Sequence, residues 1–170
     1  MSNRRRVNLQ MDRCTACYAC SVACIDQHYD IDEDYLCFRH VLRIEKEKPA
    51  DDQHRLIFAS IGCMHCDDTP CIFACPTGAV HRDPETGLVT ADQAKCVGCH
   101  SCLLACPYGA PKFDTDNKMH KCDGCNDRVK AGMLPACVAV CPSKALSFTT
   151  DDEIWQKKEL QLRTRLEKGL

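Results

Sequence analysis

The chain has 170 residues, 17 of them cysteine, and a formal net charge of −2. A cysteine content of about a tenth is that of a small disulfide scaffold, but such scaffolds are secreted and pair their thiols, whereas here the opening MSNRRRVNLQMDRC has no apolar leader core and the count is odd. The near-neutral charge gives no sign of nucleic-acid binding, and no apolar run approaches the roughly 18 residues of a membrane span, so the cysteines read as reduced metal ligands.

In chain order, residues 6–10 predict a strand leading into a first quartet, Cys14-x2-Cys17-x2-Cys20-x3-Cys24. Residues 25–62 read as an insert, with β-rich segments 38–45 and 54–61 around a turn at Lys48-Pro49-Ala50-Asp51-Asp52. Cys37 lies in this insert, outside every quartet, and reads as a buried apolar thiol. The second quartet is Cys63-x2-Cys66-x4-Cys71-x3-Cys75. A 20-residue linker follows, whose turn at 81–87 sets Ala79 and Val80 against residues 88–90 as a hairpin. The third quartet is Cys96-x2-Cys99-x2-Cys102-x3-Cys106, and the fourth is Cys122-x2-Cys125-x11-Cys137-x3-Cys141. Quartets two, three and four end in Cys-Pro and then a small turn and short strand, PTGAV, PYGAP and PSKALSF; proline cannot continue a helix and sends the chain away. Residues between the third and fourth cysteines, such as Leu103, Leu104 and Ala105, predict short helices. The tail from Asp151 reads as a helix capped by Asp151 or Asp152, with Ile154, Trp155, Leu162 and Leu166 along one stripe, open to a partner or to the chain's own core.

The run C-x2-C-x2-C-x3-C-P is that of bacterial ferredoxins, in which three thiolates on one loop reach three irons of a [4Fe–4S] cubane and the fourth ligates the neighbouring cluster. Pairing quartets two and three across their short linker assigns Cys63, Cys66, Cys71 and Cys106 to one cluster and Cys96, Cys99, Cys102 and Cys75 to the next. Quartets one and four are left to pair, giving Cys14, Cys17, Cys20 with Cys141, and Cys122, Cys125, Cys137 with Cys24. The competing pairing, one with two and three with four, stays open at this level. Quartet four alone would suit a zinc ribbon, but zinc favours two separated pairs, and quartets one and three place three thiolates on one loop. A radical-forming C-x3-C-x2-C site is excluded, because Gln27, Gly78, Gly109 and Lys144 stand three places after the x3 pairs. No glycine-rich nucleotide loop occurs. With four clusters in so short a chain, electron conduction without catalysis is the expected role, as a docked subunit or, alternatively, as a free polyferredoxin shuttle. Metal ligation then couples to folding, and sixteen thiolates leave the loaded protein more acidic than the bare one.

The sequence resembles the four-cluster ferredoxin-type subunits of molybdopterin oxidoreductases. The resemblance rests on Asp12-Arg13-Cys14-Thr15-Ala16-Cys17, on Cys66-Asp67-Asp68-Thr69-Pro70-Cys71, on Cys96-Val97-Gly98-Cys99 through Cys106-Pro107-Tyr108-Gly109-Ala110-Pro111, and on Lys121-Cys122-Asp123-Gly124-Cys125-Asn126-Asp127-Arg128-Val129 continuing to Cys141-Pro142. It implies crossed ligation with quartets one and four paired, and four cubanes, since the third quartet is complete. It also implies a large partner carrying a molybdenum or tungsten pterin, of formate dehydrogenase or dimethyl sulfoxide reductase type, and a quinone-linked membrane anchor or a hydrogenase module at the other end. Only about twenty residues follow Thr150, which favours a soluble assembly over an anchored one. The expected location is cytoplasmic, at a membrane only through a partner, with co-export on a partner's signal left open.

The expected fold is α+β: two bacterial-ferredoxin-like 2[4Fe–4S] units, one nested in the other, with an inserted β-hairpin and a C-terminal helix. Residues 1–24 and 114–150 form the outer unit, 25–62 the insert, 63–113 the inner unit and 151–170 the helix. His65 and His100 sit in cluster loops and read as packing or surface groups, with hydrogen bonding to sulfur as the sharper alternative. Tyr18, Phe73 and Tyr108 are expected to shield clusters from water, and Lys112, Lys118 and Lys121 to lie on a solvated basic face.

Overall fold

Tight cysteine loops leave little room for long elements, and the proline after three quartets ends each short helix. The computed structural model describes residues 4–29, 36–46 and 55–167. Among these, eight strands form four separate antiparallel pairs. β1 (Arg6–Leu9) pairs with β8 (Leu146–Thr149), setting Arg6 opposite Thr149 and Leu9 opposite Leu146. β2 (His40–Lys46) pairs with β3 (Arg55–Ile61), β4 (Val80–Arg82) with β5 (Val89–Ala91), and β6 (Lys112–Phe113) with β7 (Met119–His120). Five of the helices are short: α1 (Ala19–His28), α2 (Pro70–Phe73), α3 (Ser101–Ala105), α4 (Asn126–Lys130) and α5 (Ala136–Ala139). The sixth, α6 (Asp151–Glu167), carries the tail.

The interior is built on sulfur. One buried cluster joins Val7, Cys20, Cys137, Val138, Cys141 and Leu146 across the β1–β8 pair. A second joins Val80, Val89, Cys102 and Met119, and a third Cys24, Phe38 and Cys122. Cysteines thus take a large share of each buried cluster, and aliphatic side chains supply the rest. The β4–β5 turn is tied to the fourth quartet. Oδ1 of Asp83 accepts from the N–H groups of Glu85 (2.9 Å) and Thr86 (3.0 Å), as aspartate does in turns. Its Oδ2 accepts from the Asn126 amide (3.0 Å) and the Lys130 ammonium (2.6 Å), both on α4.

The strand expected at 6–10 forms as Arg6–Leu9, and Leu103, Leu104 and Ala105 lie in α3. The inserted hairpin forms as β2 and β3; its expected turn at Lys48-Pro49-Ala50-Asp51-Asp52 and His54 lie outside the described residues. The tail helix begins as expected, but neither Asp151 nor Asp152 caps it. Thr150 does: its Oγ1 accepts from the Glu153 N–H (3.1 Å), and the Glu153 carboxylate accepts from the Thr150 N–H (3.0 Å), a reciprocal capping box. Asp151 is drawn instead to Arg6, whose Nη2 reaches its two oxygens at 2.6 and 2.7 Å. The apolar stripe does not fold back: Trp155, Leu162 and Leu166 are exposed, and no described residue of α6 is buried.

Candidate metal centres

The four loops share a backbone device. Two residues after the first cysteine of each quartet the chain turns left-handed, at Ala16 (φ 53°), His65 (46°), Gly98 (67°) and Gly124 (75°). Only two of these are glycine, so alanine and histidine bear the strain that glycine avoids. At Gly98 a side chain would also collide with Asn117. Tyr18, His100 and Cys125 are left-handed as well and stand as the residues just before α1, α3 and α4. The Cys-Pro turns repeat a second device: the N–H of Gly78, Gly109 or Lys144 returns to the carbonyl of Cys75, Cys106 or Cys141 at 3.4, 3.2 and 3.2 Å. Each of the three has positive φ.

These turns bring cysteines together from distant segments. Cys14, Cys17 and Cys20 wall one cavity with Cys141. Cys63, Cys66 and Cys71 wall a second with Cys106. Cys96, Cys99 and Cys102 wall a third with Cys75. In each, three cysteines come from one quartet and one from another. Cys24 is absent from the first wall, Cys75 from the second and Cys106 from the third. The remaining four, Cys122, Cys125, Cys137 and Cys24, are all buried. Cys24 lies within electrostatic reach of Cys122 and Cys137, and Cys137 of Cys125. All 17 thiols are free of disulfides, and Cys37 stands apart, its Sγ donating to the Arg39 carbonyl at 2.9 Å.

The donor set fits an iron–sulfur cubane. The three cavities are alike in make-up, each walled by four cysteines among mainly apolar residues, as expected of one repeated occupant. The walls are apolar, and backbone N–H groups supply the polar contacts. Ala110 donates to the Cys106 sulfur and Met119 to the Cys96 sulfur, both at 3.4 Å. Burial pushes the Cys75 and Cys141 thiols up, but the N–H groups of the departing turns outweigh it and hold both below the usual thiol range. Such thiols ionise readily, as a ligand must. Burial pushes Cys102 up to about 11, so that site requires a cation to become a thiolate.

Three polar groups are buried among the cysteines. Arg39, 4% exposed, projects from the segment leading into β2. Burial opposes its charge, yet Cys137, Cys122, Cys20 and Cys24 hold its pKa above the ordinary value, and no carboxylate pairs with it among the described residues. Lys121, expected on a solvated basic face, is buried: its ammonium donates to the carbonyls of Val89 and Cys122 in the interior. Lys118 likewise turns inward, donating to the Cys96 carbonyl at 2.6 Å. His65, 5% exposed, accepts the Val89 N–H on Nδ1 at 2.9 Å and forms part of the second cavity wall. Its Nε2 is buried with no hydrogen-bond partner among the described residues. An unmet buried donor costs ~1–3 kcal/mol, which points to an acceptor inside that cavity.

Near the fourth set, His28 donates to the Cys24 carbonyl (2.7 Å) and to Asp123 (3.0 Å). Burial disfavours its charge, but Asp123 and Cys24 raise it to about 11. His100 stacks on Phe113 at 3.7 Å and bonds Asn117 at 2.7 Å, a packing role. Tyr18 and Tyr108 wall cavities as expected, whereas Phe73 is 84% exposed and walls none of the three. Arg39 escaped sequence reasoning because a lone arginine in a β-rich insert reads as a surface charge.

Comparison with known proteins follows the same lines. Residues 54–151 match the family model of the 4Fe–4S dicluster domain. The chain is 41% identical over 156 residues to the B subunit of anaerobic dimethyl sulfoxide reductase of Escherichia coli strain K12, covering 88% of this sequence and 75% of that protein. It is 38% identical over 143 residues to the thiosulfate reductase electron transfer subunit PhsB of Salmonella typhi, covering 83% and 73%. It is 44% identical over 110 residues to the hydrogenase-2 operon protein HybA of Escherichia coli O157:H7, covering 59% of this sequence and 34% of that protein.

Proposed function

This protein belongs to the 4Fe–4S dicluster family and is an iron–sulfur electron-transfer subunit, not a catalytic one; from that premise we propose that it carries four [4Fe–4S] clusters between a catalytic subunit bearing a molybdenum or tungsten pterin and a second redox module. The ligand sets are Cys14, Cys17, Cys20 and Cys141; Cys122, Cys125, Cys137 and Cys24; Cys63, Cys66, Cys71 and Cys106; and Cys96, Cys99, Cys102 and Cys75. The observation that carries this reading is the make-up of the three cavities, each gathering three thiols of one quartet and the last of another. The β1–β8 pairing, which encloses everything between, supports a nested arrangement of residues 63–113 inside 1–24 and 114–150.

A bound cluster supplies reversible one-electron transfer. The chain's own residues hold it by thiolate, set its surroundings with N–H···S bonds and buried cations, and keep water out with apolar walls. The second module is a quinone-linked anchor or a hydrogenase-type unit. No helix among the described residues is long and apolar enough to cross a membrane.

Anaerobic purification with native partners tests the proposal. The expected result is about sixteen irons per chain and a co-purifying large subunit containing molybdenum or tungsten. Zinc in place of iron would overturn the cluster assignment, and a stable monomer reducing partners only in transient encounters would replace the docked subunit with a shuttle.

A further inference from the structure

The His65 ring lies in the loop between Cys63 and Cys66 and forms part of the cavity wall those cysteines share with Cys71 and Cys106. Its two nitrogens are not equivalent. The Val89 N–H donates to Nδ1 at 2.9 Å, so Nδ1 is the acceptor and the ring proton sits on Nε2. That Nε2–H is buried and finds no acceptor among the described residues. An oriented donor is therefore held in the wall of a cavity lined mainly by thiols and apolar groups.

We infer that His65 is a positioning and tuning residue: its Nε2–H donates a hydrogen bond to a sulfur of the cluster held by Cys63, Cys66, Cys71 and Cys106, and so raises the potential of that one cluster. The inference rests on the ligand set proposed above. Its physics is simple. Reduction makes the cluster more negative, a hydrogen bond to sulfur strengthens with that charge, and the reduced state gains more. Tuning by His65 is specific to one site, because the matching positions of the other loops are Ala16, Gly98 and Gly124, none of which carries a donor side chain. If the ring served only to fill space, an apolar ring would do as well.

The test uses the complete iron-loaded protein with His65→Phe and His65→Asn. Asparagine tolerates the left-handed backbone and keeps both an acceptor and a donor. Iron analysis and potentiometric titration followed by electron paramagnetic resonance read both variants. Expected for His65→Phe is a full iron complement with one cluster harder to reduce by about tenfold, ~59 mV for a one-electron couple, and the other three unmoved. His65→Asn should stay within about threefold of the wild type, ~28 mV on the same scale. A fully loaded His65→Phe protein with four unmoved potentials overturns the inference, as does an equal shift of all four. If His65→Phe sheds iron, the unmodified protein decides. With histidine labelled by ¹⁵N, the reduced cluster should show a nitrogen hyperfine coupling, and its absence overturns the inference. Failure of the ligand assignment is distinguishable, because Cys106→Ser would then leave this cluster intact.

Discussion

Nη1 of Arg39 lies 3.3 Å from the Ser60 hydroxyl, and that hydroxyl lies 3.3 Å from the Cys20 sulfur. A full positive charge thus stands one hydroxyl away from a thiol of the first quartet, and it also acts on the Cys137 thiol of the fourth, lowering a pKa that burial raises. It reaches this place from the inserted hairpin, which therefore belongs to the electrostatics of the outer cysteines.

Arg39→Gln should lower the potentials of the two clusters assigned to quartets one and four by on the order of 50 mV, because a buried cation beside them favours the more negative reduced state. Arg39→Lys should preserve most of both values. Potentiometric titration of the loaded protein reads the difference, and unmoved potentials in Arg39→Gln would contradict it.

Cys106→Ser should damage the cluster of quartet two and spare that of quartet three, because Cys106 walls the cavity of Cys63, Cys66 and Cys71. Resonance spectra and iron content together report which cluster suffers.

Iron removal by a chelator under reducing conditions should abolish cooperative unfolding and most near-ultraviolet dichroism. The buried clusters are made largely of cysteines, so their apolar packing is too small to hold the fold without metal.

Asp83→Asn should destabilise the loaded protein at neutral pH. The Lys130 ammonium, with the Thr86 N–H and the Asn126 amide, holds the Asp83 carboxyl well below the usual carboxylate range. A depressed carboxyl contributes stability that is complete above its unfolded value of about 3.9 and is lost as pH falls toward the folded one. The gap between variant and parent should then be constant from about pH 5 to 8 and shrink below about 4. Denaturant unfolding at several pH values checks this, and a gap that grows on acidification would refute it.

Thr150→Ala should cost about 1 kcal/mol of helix stability by removing one half of the capping box. Because α6 buries none of its described residues, amide exchange in 151–167 should quicken while the cluster spectra stay unchanged.

Much of this was legible in the cysteine spacing. Three thiols within seven residues can only share a small object, and the Cys-Pro exits of Cys75, Cys106 and Cys141 announced where the chain would leave. The β4–β5 hairpin was equally plain, because Asp83, Pro84 and Gly87 carry turn chemistry. What stayed hidden depended on groups that are ordinary in sequence. Lys121 reads as a surface charge until Val89 and Cys122 offer it their carbonyls. Ala16, His65 and Lys144 give no sign of left-handed backbone, since only glycine advertises it. Thr150 went unnoticed beside two aspartates because capping depends on which side chain can reach the Glu153 N–H.

The pairing of β1 with β8 joins residue 6 to residue 149. It therefore sets a timetable for synthesis. The β4–β5 turn closes over a few residues and can form as soon as it emerges, whereas the outermost strand must wait, exposed, until nearly the whole sequence has been made. Cys14, Cys17 and Cys20 share their cavity with Cys141, so they leave the ribosome long before their last neighbour does. Throughout that interval their thiols are open to oxidation.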